Sequence, residues 1–172
     1  QWQVVSMPGV FSHGELDNGS RLLLEKLPLS PRKHVLDFAC GAGVIGSYML
    51  SQYPHLDMHM LDVSALALFC SALTLHANNQ VATLIAANGL HGVELTVDHI
   101  ITNPPFHTGV KTDYSITKRF ISDSRRVMKE SGSLVMVANR FLPYPGLLSE
   151  LYSRVHTVAQ NSQFSVYQAH CQ

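Results

Sequence analysis

What this 172-residue sequence lacks narrows its reading before any motif does. No apolar run approaches the roughly 20 residues needed to cross a bilayer, so no membrane partner is expected. There are only three cysteines, Cys40, Cys70 and Cys171, an odd number at scattered spacing. That excludes a disulfide framework or a zinc ribbon and favours a reducing compartment, with the cytoplasm as the expected location. Charge of either sign is not in excess: twelve Lys and Arg balance twelve Asp and Glu. A domain that holds nucleic acid mainly by electrostatics is therefore not expected, and any such contact must be local. Ten histidines are present, but no set of metal ligands emerges. His55 and His59 can face one way on a strand without a third partner, so surface histidines and no metal are the reading. Internal repeats and low-complexity segments are also missing. So are an initiator methionine and a basic-then-apolar leader, since the chain begins QWQVVSMPGVF. The expectation is a piece of a longer protein with something missing upstream. What is present is an ordered composition, 46% hydrophobic and 14% charged with mean hydropathy +0.09. It fits one domain over residues 1–172, with 1–30 leading into the core, and a monomer is expected.

The middle of the chain alternates strand and helix patterns. Residues 33–39 (KHVLDFA) form a short apolar run ended by a glycine cluster, and 44–52 then carry helix-compatible residues. Residues 57–62 (DMHMLD) alternate polar and apolar. Ser64 can cap a helix over 65–76 that stops at Asn78 and Asn79. Residues 82–86 and 98–102 read as two more strands, the second running into Asn-Pro-Pro, where neither helix nor ladder continues. A helix over 116–129 follows, then Gly132, the strand SLVMVAN and a short helix over 146–153. The end departs from this rhythm. VHTVAQ and FSVYQAH, separated by Asn161, Ser162 and Gln163, predict an antiparallel β-hairpin. The fold class is thus α/β and Rossmann-like, a mostly parallel sheet with helices on both faces and a terminal hairpin.

In such a sheet the ligand lies outside the C-terminal strand ends, at the point where strand order reverses. The loops expected there carry Gly41-Ala42-Gly43, Asp62 followed by Val63, Asn88, and Asn103-Pro104-Pro105-Phe106. Residues 41–46 read literally as G-x-G-x-x-G, with Asp62 where a dinucleotide site places its ribose acid, so a dehydrogenase is one reading. S-adenosylmethionine is the other. It has no phosphates, and its amino-acid end bears an ammonium, which a strand carboxylate such as Asp37 suits. Asp62 serves ribose hydroxyls in either case.

Asn103-Pro104-Pro105-Phe106 resembles the [DNS]-P-P-[YFW] motif of methyltransferases acting on exocyclic or amide nitrogens, and Asp37-x-x-Cys40-Gly41-x-Gly43 resembles their donor-binding turn. Together with PGVFSHGELDNGSRLLLE (8–25), IITNPPFHTG (100–109) and VANRFLPYP (137–145), in this order and spacing, the chain resembles the C-terminal catalytic domain of bacterial small-subunit ribosomal RNA guanine-N2 methyltransferases. The resemblance implies a class I methyltransferase fold, S-adenosylmethionine as cofactor, 16S ribosomal RNA of the small subunit as partner, and a further N-terminal domain. It places Phe11, Ser20, Asp37, Ala39, Cys40, Gly41, Gly43, Asp62, Val63, Asn88 and Asn103 at the donor. Pro105, Phe106, His107, Arg140, Phe141 and Tyr144 fall to the substrate. One departure is Ala39, where the family commonly has glycine, so its Cβ crowds the donor.

The amine of guanine is a poor nucleophile because its lone pair is delocalised into the ring. Catalysis then consists of orienting it and accepting its N–H hydrogens. The resemblance gives those acceptors as the Asn103 side-chain oxygen and the Pro104 carbonyl, with Phe106 stacking on a base drawn out of its helix. Plainer readings stand beside these. Asn-Pro-Pro can simply stop a strand, Phe106 and Phe141 can be core, Asp37 and Asp62 can cap helices, and Asn88 before Gly89 is first a turn signal. Cys40 is a packing residue rather than a nucleophile. Lys118, Arg119, Arg125 and Arg126 read as the solvated face of a helix. Other functions compatible with the motif are N5-glutamine protein methylation, adenine-N6 methylation, and a donor-binding module without catalysis.

Overall fold

The computed structural model describes residues 1–28, 30–106 and 111–172, with side chains at 111–113 set aside; His107 lies outside the described residues. The elements run α1 (Asn18–Glu25), β1 (His34–Phe38), α2 (Val44–Gln52), β2 (Asp57–Asp62), α3 (Ala65–Ala77), β3 (Thr83–Ala86) and β4 (Val97–Thr102). Then come α4 (Lys111–Val127), β5 (Met128–Asn139), α5 (Tyr144–Ser149), β6 (Arg154–Gln160) and β7 (Phe164–His170). The strands form one seven-stranded sheet in the order β3-β2-β1-β4-β5-β7-β6. The first five are parallel, and β7 pairs antiparallel with both β5 and β6. This is the class I methyltransferase fold with its terminal hairpin. Strand order reverses between β1 and β4, the point where such sheets open a binding crevice.

Strand alternation divides the core in two. Leu36, Phe38, Ile100, Leu134, Met136 and Tyr167 pack with Phe120 and Ile121 of α4 and Leu147 and Leu148 of α5. Val35, Met58, Met60, Ile101, Val135 and Val166 point the other way, onto Leu23 of α1, Ile45 and Met49 of α2 and Leu75 of α3. The central strands are apolar on both faces because both faces are covered.

Several boundaries differ from expectation: α4 begins at Lys111 rather than Ile116, α5 ends at Ser149 rather than Ser153, and β5 begins at Met128 rather than Ser133. Two further differences have a local cause. The fifth helix begins at Tyr144 rather than Gly146, since Pro145 sits in its first turn, where a missing N–H and a fixed φ are tolerated. Helix α4 ends at Val127 instead of Lys129 because Met128 already pairs with Val97 of β4; pairing then shifts register before resuming at Ser133 opposite His99. Lys129 is thereby freed to reach Asp98, 3.1 Å away.

Candidate active site

A cavity of about 1450 Å³ opens at the C-terminal edge of the sheet, walled by the loops after β1, β2, β3 and β4 and by the segment before α1. The ends of β1 and β4 are tied together here, Thr102 Oγ1 donating to the Phe38 carbonyl at 2.7 Å. That bond sets Ala39 and Asn103 as the next residues on neighbouring strands.

The turn after β1 is built from backbone. Ala39, Gly41 and Gly43 all take positive φ, +57°, +55° and +81°. The Gly41 N–H donates to Asp62 Oδ2 at 2.9 Å, and the Gly41 carbonyl accepts from Ser71 Oγ at 2.8 Å. Asp62 Oδ1 accepts from the Ser64 N–H at 2.9 Å, while Ser64 itself caps α3 by accepting from Ala67. Asp62 thus locks the turn after β1 to the start of α3 and still borders the cavity. The Cys40 thiol is buried, 3.5 Å from Ser71 Oγ, and burial pushes its pKa far up, which makes it a packing group.

Of the residues expected at a donor, Phe11, Ser20, Ala39, Cys40, Gly41, Asp62, Val63, Asn88 and Asn103 line this cavity. Asp37 and Gly43 do not. Strand alternation turns Asp37 beneath α2 on the side of Val35, fully buried, where its Oδ2 accepts the Gly46 N–H at 2.9 Å. Burial is the main force raising its pKa to about 7, with the Gly46 bond opposing and the Asp62 charge adding to it. The expectation that this carboxylate meets a donor's ammonium directly is therefore corrected: it braces the first turn of α2. Gly43 acts by its small size, since a Cβ there would lie 2.8 Å from Met60 Cε and 3.0 Å from Ser71 Oγ. Gly46 is likewise a packing position, its virtual Cβ 3.1 Å from Asp37 Oδ2.

These positions bear on the dinucleotide reading. A pyrophosphate needs the free, positive N-terminus of the helix after the glycine turn. Here a buried carboxyl already occupies the third N–H of that helix, a donor that a pyrophosphate would need.

Of the residues expected at the substrate, Pro105, Phe106 and Phe141 line the cavity. Phe106 is half-buried, its ring 5.4 Å from that of Phe120, so the core and pocket readings both apply. Phe141 is 75% exposed, with the Arg140 guanidinium 5.1 Å over its ring. Arg140 itself stands off the cavity wall and donates to the Asn161 carbonyl. Tyr144 is corrected outright: it is 1% exposed, packed in the core beneath α5, because it begins that helix instead of ending a loop. Arg125 and Arg126 are also bound, Arg125 to the Cys171 carbonyl and Arg126 to those of Val93 and Leu90, whereas Arg119 reaches the cavity.

Several cavity residues escaped the sequence: Asp17, Asp123, Asn139 and Phe164. Asp17 caps α1, accepting the Ser20 N–H at 2.8 Å, and the same Oδ2 accepts from Asn103 Nδ2 at 2.7 Å. Asn103 Nδ2 also lies 3.1 Å from Ser20 Oγ. The only local signal was the Asp-Asn-Gly-Ser start of a helix.

The chain is similar to known methyltransferases. The model of the methyltransferase small domain family matches residues 1–168. The ribosomal RNA small subunit methyltransferase C of Alteromonas mediterranea is 66% identical over 98% of this chain and 47% of its own length. The protein of the same name from Pseudomonas syringae pv. tomato is 45% identical over 96% of this chain and 50% of its own. Among solved structures, the 16S rRNA N2 methyltransferase RsmC of T. thermophilus, in complex with AdoMet and guanosine, superposes with a TM-score of 0.81 at 25% identity. That alignment covers 96% of this chain and 46% of the other. The chain spans about half the length of the curated relatives it matches.

Proposed function

Since the chain belongs to the methyltransferase small domain family, we propose that it binds S-adenosylmethionine in the cavity and methylates the exocyclic N2 of a guanine in 16S ribosomal RNA of the small subunit. The observation that carries this reading is the meeting of the glycine turn after β1 and Asn103-Pro104 after β4 in one cavity. The donor fits what is there. Asp62 retains acceptor capacity for ribose hydroxyls, Asn88 offers an amide beside an adenine, and the backbone turn carries no cation to demand a phosphate. Bound there, S-adenosylmethionine supplies a methyl on a positively charged sulfur, an electrophile strong enough to need no metal or strong base.

The protein's share is orientation. Asn103 Oδ1 and the Pro104 carbonyl accept hydrogen bonds from the two N–H groups of the amine, which turns its lone pair toward the methyl and draws electron density back onto nitrogen, and the proton that the methylated nitrogen sheds passes to water. Two consecutive prolines keep the Pro104 carbonyl from drifting. Phe106 and the exposed Phe141 offer faces on which an unstacked base can rest. A relative's RNA target and its guanosine complex support the choice of substrate. A second domain in the other half of such proteins belongs to the same proposal, with part of the RNA docking assigned to it.

Calorimetry with S-adenosylhomocysteine and with NAD tests the cofactor: binding of the first and not the second is expected, and tight NAD binding alone would sink the reading. Labelled donor with unmethylated small subunits, naked 16S RNA or release factor tests the acceptor. Label is expected on guanine N2, while label on a glutamine or on adenine N6 overturns the assignment. Asn103→Ala is expected to lower transfer about 100-fold or more and to leave S-adenosylhomocysteine affinity largely intact; unchanged transfer refutes its role.

A further inference from the structure

We infer that Asp17 is a positioning residue for methyl transfer: it fixes which way the Asn103 amide faces, and so decides that Asn103 meets the substrate with oxygen rather than nitrogen. This rests on the proposed amine-accepting role of Asn103. A half-turn of an asparagine amide exchanges its donor and its acceptor with little change in shape, and the wrong setting would present N–H groups to an amine that needs acceptors. Something must choose. Asp17 lies 86 residues away in sequence, at the N-cap of α1. Its carboxylate can only accept, and Oδ2 already accepts the Ser20 N–H. The Asn103 atom 2.7 Å from that oxygen is therefore the nitrogen. Ser20 Oγ, 3.1 Å from the same nitrogen, accepts its second hydrogen. The reversed amide would set oxygen against a carboxylate oxygen at hydrogen-bonding distance, an unfavourable contact in a half-buried place. With both hydrogens of Nδ2 taken, Oδ1 is the atom left to act as acceptor.

A Cβ at Gly19, in the first turn of α1, would lie 3.0 Å from Asp17 Oδ2, 3.3 Å from Phe164 Cε1 and 3.4 Å from Asn103 Nδ2, so a side chain there would press first on the Asp17 carboxylate.

A cap and a clasp are separable by substitution. Asp17→Ser keeps a cap on α1 but is too short to reach Asn103. Asp17→Asn keeps the cap and can place an amide oxygen where Oδ2 stands, and Asp17→Ala loses both. In the full protein on small-subunit particles, the expected order of kcat is Asn well above Ser and Ala, with Ser down about tenfold or more and KM for the donor unchanged. The expected order of Tm differs: Asn highest, Ser below it by the lost clasp alone, and Ala lowest, having lost cap and clasp. In the Asn103→Ala background, Asp17→Ser should cause no further loss of transfer, and the pair should be non-additive in Tm as well. Transfer that follows Tm across the three variants, or additive losses with Asn103→Ala, overturns the inference. A wild-type protein without any transfer overturns the methylation reading instead. Coupling in Tm then decides the clasp alone: non-additive losses uphold it and additive losses reject it.

Discussion

Asp37 and His99 are both ionisable and both buried, and burial moves their pKa values in opposite directions. Asp37 is raised from 3.8 to about 7, with burial the largest cause. His99 is lowered from 6.5 to about 4, again chiefly by burial, with the Arg32 charge adding to it. The folded chain holds a proton on Asp37 that the unfolded chain has released. That stabilisation is complete below pH 3.8 and is lost as pH rises to 7. His99 behaves conversely: it is neutral in the fold, and its contribution, complete above pH 6.5, is lost as pH falls through 4. The two slopes nearly cancel, so thermal unfolding of the wild-type chain between pH 4.5 and 6.5 should show little dependence on pH from this pair. Asp37→Asn should leave the His99 slope exposed, with Tm rising with pH across that window. His99→Gln should do the reverse. Parallel profiles for both variants would contradict the burial argument. Of the two residues, Asp37 was visible in the sequence, and so was its strand. The face it would take was not, because alternation fixes that Asp37 lies with Val35 but not which helix covers that face.

At the scale of elements, the turn after β1 is the strained piece. Ala39 holds φ +57°, a left-handed setting that costs an L-residue with a Cβ roughly 1–2 kcal/mol. Ala39→Gly should remove that cost, partly offset by the extra freedom glycine brings to the unfolded chain. The net expectation is a Tm unchanged or raised by about 2–4 °C, measured by circular dichroism, together with tighter S-adenosylhomocysteine binding as the cavity wall recedes. A fall in Tm of that size would show that the methyl group packs usefully. Gly43→Ala should instead destabilise the fold by about 2 kcal/mol or more, since the new Cβ meets Met60 and Ser71 and φ remains positive. The glycine turn and Asn-Pro-Pro-Phe were legible because each is a contiguous signature at a strand end. Boundaries were less so: Pro145 reads as a breaker until one sees that it occupies a first turn. Asp17 was illegible as a site residue, because a cap 86 residues from its second partner looks like any other cap.

For the molecule as a whole, balanced charge and a span of about half its relatives point the same way. The isolated chain should bind small-subunit RNA weakly, with an affinity that changes little between about 50 and 200 mM salt, as measured by fluorescence anisotropy. A steep salt dependence would show a cationic docking surface that the composition conceals. The β-α rhythm and the closing hairpin were both readable from pattern. Where the hairpin inserts was not, since pairing partners in a sheet are long-range facts. That insertion has a consequence for biosynthesis. β7 is made after β6, yet it sits between β5 and β6 and covers the edge of β5 from Ser133 to Asn139. A nascent chain that has already assembled its five parallel strands still presents that apolar edge to neighbouring polypeptides. It escapes this exposure only when residues 164–170 have left the ribosome, so vulnerability to aggregation lasts until the closing strand of the sheet has emerged.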